Sequence, residues 1–240
     1  MTTWLFDLGN TRLKFAALGA DGAPDETVAV PHGGDDAWLD ALPHGDVACI
    51  ASVATPTRRV ALLAALRSAG FVRLHVVHTQ PRLGALHIAY PEPRHLGVDR
   101  FLALLAALDT GPVLLVGVGT ALTCDLLDGG GLHRGGRIAP SPMLMRQSLH
   151  ARAAVLPEIG GEYAEFGDDT VHALASGCEG AALALVERSL HAATHLLGAR
   201  PALWLHGGGA GALRARLPEH AWVPDVVLRG LAGWHAHCIA

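Results

Sequence analysis

Two short runs of this sequence place an acid beside glycine, a combination suited to phosphate chemistry. The first is Asp7-Leu8-Gly9-Asn10-Thr11, followed closely by Lys14. An acid at a strand end can hold Mg2+, directly or through water. The N–H groups of Gly9, Asn10 and Thr11, with the Asn and Thr side chains, can donate to phosphate oxygens, and Lys14 adds a point charge. A plain Asn-containing hairpin turn accounts for the same residues. The second run is Gly97-Val98-Asp99-Arg100. Asp99 there either caps a helix beside a solvated Arg100, or takes a proton from a hydroxyl while Arg100 grips an anionic substrate. The segment just before it, "HIAYPEPRHLGVDR", carries Tyr90 and no apolar periodicity, as a substrate loop would.

Three further stretches could support such a site. "LLVGVGTALTCDLL", Leu114 to Leu127, reads as an apolar strand, a Gly-x-Gly-Thr turn and a second strand from about Leu122. His206-Gly207-Gly208-Gly209-Ala210 gives either a bare backbone surface for a base or ribose, or a flexible strand-to-helix turn. Asp169-Thr170, leading to Ser176-Gly177, has the look of a helix-capping loop. The 15 histidines include no H-E-x-x-H spacing, and His235 and His237 are too close along a helix to share a face, so no metal site is expected there.

The elements that must carry these residues follow from apolar spacing. Strands are expected at Trp4–Asp7, through Leu13 and Phe15, over Val47–Ala54 and over Val72–His78. Helices are expected over Arg58–Gly70 and Asp99–Leu108, with a chain break at Thr110-Gly111-Pro112. "GGGLHRGGRIAP" reads as a glycine-rich hairpin and turn. A helix then runs over Ser141–Pro157 with Ser141 as its cap, and a long one from about Gly180 to Leu197. Strand, glycine turn and helix follow around "ALWLHGGGAGALRARLP", then a short strand and a C-terminal helix. "LFDLGNTRLKF" and "LVGVGTALTCDL" superpose, with Asp7 over Gly117, Gly9 over Gly119 and Asn10 over Thr120. Such a repeat implies two similar α/β lobes, 1–112 and 113–240, whose first hairpins face each other across a cleft fit for a nucleotide.

Bulk composition narrows the class. The chain has 240 residues, half of them apolar and 17 % charged, which suits a globular fold with a sizeable core. A net charge of −4 gives no basic footprint for nucleic acid. No apolar run reaches membrane-spanning length, and the N-terminus lacks a basic signal-peptide region. The four scattered cysteines read as reduced thiols of a cytoplasmic protein. Lys14 is the single lysine among 18 basic residues; an arginine-biased composition accounts for the others but not for its place beside Asp7.

Taken together and in order, D-x-G-N-T-x-x-K at Asp7–Lys14, G-x-D-R at Gly97–Arg100, Gly119-Thr120-Ala121 with Thr123 and Asp125, "GGRIAPSPMLMRQSLHARAAVLP" and "HGGGA" resemble the type III pantothenate kinases. The resemblance spans almost the whole chain. It implies the two-lobed fold of the acetate and sugar kinase, Hsp70 and actin (ribonuclease H-like) superfamily, with a central cleft. It implies ATP-dependent phosphorylation of pantothenate, the first step of coenzyme A synthesis, by a cytoplasmic homodimer with no nucleic-acid or membrane partner. By the same resemblance ATP contacts are expected at Asp7, Leu8, Gly9, Asn10, Thr11, Arg12, Leu13, Lys14 and Thr120, with Mg2+ at Asp7. Pantothenate contacts are expected at Tyr90, Gly97, Val98, Asp99, Arg100 and Thr170, with Asp99 as proton acceptor, and the glycines at 207–209 resemble the adenosine-side loop. The family places an Asp for K+ or NH4+ where this chain has Gly117; backbone carbonyls or Asp125 are the substitutes in reach of the sequence. A kinase for another small hydroxy acid or sugar, and a non-catalytic nucleotide-binding regulator, are the other readings; the presence of Asp7 and Asp99 argues against the regulator.

Overall fold

The computed structural model describes residues 1–32 and 37–239. The chain divides into two compact units: Met1–Asp109 with Gly131–His133 and Asp225–Ala240, and Thr110–Gly130 with Arg134–Pro224. The first cut falls close to the expected boundary at 112/113. The last helix, expected in the second lobe, lies instead in the first unit.

The first unit contains β1 (Thr3–Leu8), β2 (Arg12–Ala17), β3 (Val28–Pro31), β4 (Val47–Ser52), α1 (Pro56–Ser68) and β5 (Arg73–Val76). A two-stranded ribbon follows, β6 (Arg82–Leu83) and β7 (Leu86–His87), and then α2 (Val98–Ala106). The second unit runs β8 (Val113–Val118), β9 (Ala121–Leu127), β10 (His133–Pro140), α3 (Pro142–Arg152), α4 (Thr170–Leu197), β11 (Ala202–His206), α5 (Gly211–Arg214) and β12 (Ala221–Trp222). The chain closes with α6 (Val226–Cys238), back in the first unit.

The repeat seen in the sequence is a repeat of sheet topology. One sheet is ordered β3-β2-β1-β4-β5 and the other β10-β9-β8-β11-β12. In each, the first strand of the unit pairs antiparallel with the second and parallel with the fourth. The segment "GGGLHRGGRIAP" supplies the turn and second strand of a hairpin with β9. Its second part is the eight-residue strand β10, the partner of β9, despite two glycines that lower its strand propensity.

Alternation along β1 and β4 sorts the first core. Phe6, Leu8, Ala48 and Ile50 share one cluster with Leu62 and Leu66 of α1, while α6 packs on both strands and α2 on β4. Phe6 meets Phe71 edge-on, ring centroids 5.7 Å apart. In the second unit Leu114, Val116 and Val118 of β8 bury against Ala182, Val186 and Leu190 of α4. The fully buried stripe explains why β8 reads as a continuous apolar run.

Helix starts follow capping chemistry. Ser141 Oγ accepts from Leu144 N at 3.3 Å, as expected, and α3 stops at Arg152, short of the expected end at Pro157. Helix α4 begins at Thr170, well before the expected Gly180. Asp169 Oδ1 accepts from His172 N at 2.8 Å, and the glycines at 177 and 180 lie inside the helix instead of breaking it.

Candidate active site

In the first unit, Asp7 stands at the end of β1, directly opposite Lys14 of β2. Odd-numbered residues of β1 face away from the α1 side, so Asp7 points to the side where α2 packs, and Asp99 opens that helix. Burial pushes the Asp7 carboxyl up to about 7; the negative charge of Asp99 adds to the rise and Lys14 opposes it. The residue as a whole is half-buried. Two carboxyls that raise each other's cost of ionisation are a setting a divalent cation relieves.

Asp99 is not the helix cap. Gly97 holds that position, and Asp99 Oδ1 accepts from Arg100 N at 2.9 Å. A Cβ at Gly97 would lie 2.5 Å from that same Oδ1. The glycine thus leaves the room that the carboxylate occupies. Arg100 is only 7 % exposed; its Nη1 donates to Tyr90 Oη at 3.4 Å, and its guanidinium lies 5.8 Å from the Tyr90 ring centroid. On Tyr90 stacks His133, centroids 6.0 Å apart and planes 8° from parallel, with no solvent exposure. The Ala89 N–H reaches His133 Nδ1 at 3.5 Å. Sequence reasoning missed His133, because nothing local marks a residue brought to Tyr90 from so far along the chain. Thus Asp7, Lys14, Tyr90, Gly97, Val98, Asp99 and Arg100 all belong to one unit.

The first glycine turn is exposed at Asn10 and Thr11. Gly9 N donates to Arg12 O at 3.0 Å, and Gly119 N to Ala121 O at 2.9 Å in the second unit's turn. Leu8 pairs with Leu13 but Val118 with Leu122, so the first turn is one residue longer. Neither Gly9 nor Gly119 takes a left-handed backbone. What they contribute is bare surface, not an unusual φ.

Thr120 sits at the tip of the second turn, and Thr170 is the first residue of α4; both belong to the second unit. The strand register places His206 of β11, Gly117 of β8 and Thr123 of β9 side by side. A Cβ at Gly117 would lie 2.8 Å from His206 Cε1 and 2.8 Å from Thr123 Oγ1. The corresponding row of the first unit is Ala51, Asp7, Lys14. One row has its acid on the central strand and a small neighbour; the other has no side chain there and an imidazole in its space. Asp125 does not replace the acid at the turn, since it is buried opposite Leu115, deeper along the sheet.

Gly207 and Gly209 have a packing reason. Gly207 has φ +94, and any Cβ on it would enter the backbone of Val118. Gly209 N donates to Val118 O at 2.9 Å, so the loop lies on the end of β8. Among the described residues, Asp168, Asp169 and His172 form a group able to hold a metal, but Asp169 Oδ1 already accepts from His172 N and Nδ1, both at 2.8 Å.

The duplicated sheet, with a glycine turn after each first strand, is an α/β fold of the sugar-kinase type. A Campylobacter jejuni protein described as a Baf family transcriptional activator has the same fold, with a TM-score of 0.66 at 18 % identity over 97 % of both chains. So does a Sinorhizobium meliloti protein described as a 2-dehydro-3-deoxygalactonokinase, with a TM-score of 0.54 at 16 % identity, covering 99 % of this chain and 100 % of that one. The profile of the type III pantothenate kinases matches residues 4–192. Type III pantothenate kinases of Stenotrophomonas maltophilia strain R551-3 and Xanthomonas campestris pv. campestris strain B100 are 53 % and 51 % identical. The alignments cover 99 % and 100 % of this chain and 98 % and 100 % of those relatives. The chain belongs to the type III pantothenate kinase family.

Proposed function

We propose that this chain transfers the γ-phosphate of ATP to pantothenate, giving 4'-phosphopantothenate, the first step of coenzyme A biosynthesis. The observation that carries the site assignment is the grouping of Asp7 and Asp99 with Arg100 and Tyr90 in one unit. The pantothenate hydroxyl oxygen attacks the γ-phosphorus, the bond to the β–γ bridging oxygen breaks, and ADP leaves. Asp99 takes the hydroxyl proton. Arg100 and Tyr90 hold the acid end of pantothenate, and Gly97, Val98 and Thr170 complete its contacts. The stretch Asp7 to Lys14, with Leu8, Gly9, Asn10, Thr11, Arg12 and Leu13 between, receives the ATP phosphates, and Thr120 contributes a further ATP contact. Asp7 fits a Mg2+ ligand, direct or through water, because a divalent cation beside it offsets the repulsion from Asp99; bound there, it would neutralise phosphate charge.

The family implies a K+ or NH4+ requirement; we infer that Gly117 removes it in this chain. His206 and Thr123 already fill the space that a side chain at position 117 would need. The family reading also has the enzyme work in the cytoplasm as a homodimer, a mass that light scattering measures. The test of function is ATP consumption with pantothenate and with a panel of other small hydroxy acids, in K+ and in Na+ at fixed ionic strength. Turnover with pantothenate that changes little between the salts is expected. No pantothenate-dependent turnover would refute the kinase reading, and a steep K+ or NH4+ requirement would refute only the cation claim.

A further inference from the structure

The carbonyl oxygens of the first glycine turn are fastened in succession. Gly9 O accepts from His32 Nε2 at 2.9 Å, Asn10 O from Arg58 Nη1 at 2.8 Å, and Thr11 O from the His32 backbone N–H at 3.1 Å. In a trans peptide the carbonyl of one residue and the N–H of the next point in opposite directions. Fixing the oxygens of Gly9 and Asn10 therefore fixes where the N–H groups of Asn10 and Thr11 aim. Those two N–H groups have no hydrogen-bond partner among the described residues, and both residues are exposed.

The other unit supplies a comparison within the same molecule. There the N–H of Ser141 donates to Thr120 O at 3.4 Å. Ser141 directly follows β10 as His32 directly follows β3, and β10 holds the place in its sheet that β3 holds in the first. The backbone bond thus belongs to the repeated fold. The side-chain bonds do not: Ser141 Oγ turns to cap α3, whereas His32 and Arg58 reach the first turn. His32 also carries a cost that packing alone does not require. Its ring is 5 % exposed and lies against Trp38, centroids 5.4 Å apart, yet its Nδ1 is buried with no partner among the described residues. An apolar ring would fill the space without leaving a nitrogen unpaired.

We propose that His32 and Arg58 are positioning residues for ATP, holding the peptide planes of the Gly9–Thr11 turn so that the Asn10 and Thr11 N–H groups present to phosphate oxygens. This rests on the reading of Asp7–Lys14 as the phosphate-binding segment. A neutral His32 must carry its proton on Nε2 to donate to Gly9 O. Glutamine places an amide N–H near the position of Nε2, and lysine keeps a cationic donor at position 58.

The experiment compares KM for ATP, KM for pantothenate, kcat and thermal midpoint in the full chain. His32→Leu and Arg58→Ala should each raise KM for ATP by roughly tenfold, the worth of one hydrogen bond. KM for pantothenate should stay near the wild-type value. His32→Gln and Arg58→Lys should recover most of the loss. An unchanged KM for ATP in either truncation would overturn the proposal. So would an equal rise in both KM values, or a His32→Gln protein as impaired as His32→Leu at a matched thermal midpoint. Asp7→Asn separates the two levels: if it leaves turnover and KM for ATP intact, the phosphate-segment reading falls. If it lowers activity while the His32 and Arg58 variants do nothing, only the present proposal falls.

Discussion

Asp99 owes its position to a neighbour without a side chain. Its carboxylate occupies the volume that a methyl group at position 97 would take. Asp99→Asn should lower kcat by roughly 10²–10⁴-fold, the range for loss of a positioned base. Gly97→Ala should act in the same direction by displacing that carboxylate, with a loss of up to about 10²-fold and little change in thermal midpoint. Steady-state kinetics beside a thermal melt separates the two quantities. Asp7 makes a prediction in pH. Its folded pKa of about 7 exceeds the ordinary aspartate value of 3.8, so between these the folded state holds the extra proton. This group's contribution to stability is fully present below the unfolded pKa and is lost as pH rises through about 7. In Mg2+-free buffer the melting temperature of the wild type should therefore fall more steeply over that window than that of Asp7→Asn. Parallel pH profiles of the two proteins would contradict the assignment. At this scale the sequence displayed Asp7, Lys14, Asp99 and Arg100 by type and spacing, but neither His133 on Tyr90 nor His206 over Gly117. Those pairings depend on strand register and on a distant segment, and no local pattern encodes them.

At the scale of elements, α2 and α6 pack in close contact. A Cβ at Gly230 would enter the backbone of Leu102, so the two helices meet with nothing between them. Gly230→Ala should cost about 1–3 kcal/mol, the usual range for overpacking, despite alanine's better helix propensity. Denaturant unfolding measures the difference, and a stabilised variant would show that the helices can part freely. Because α2 opens at Gly97 and Asp99, activity should fall with stability here, unlike at an exposed helix glycine. The elements themselves were legible where apolar spacing was long and regular: β1, β4, α1, α2, β8 and α6 lie close to their expected places. The start of α4 was not, since glycines at 177 and 180 lower local propensity while packing against β8 holds the helix together. Nor was the full length of β10, whose two glycines hide how far the strand pairs with β9.

At the scale of the whole molecule, the last helix completes the unit formed by the chain's beginning. Helix α6 packs on α2, β1 and β4, whose buried residues include Leu5, Phe101, Leu102 and Leu105. A chain ending before Asp225 should lose soluble yield and its cooperative melt, because that apolar surface would face water. A truncated protein melting like the full chain would show that α6 is dispensable to the first unit. The sequence by itself determined the repeat, the two glycine turns and the acids beside the first, because these depend on residue type and near spacing. It also determined the family, through five short motifs in order. The tertiary structure alone decided which residues share a row across the sheets, where α6 belongs, and which donors hold the first turn. Those facts arise from pairing between strands and packing between helices distant in sequence, where the partner's identity cannot be read from either segment alone.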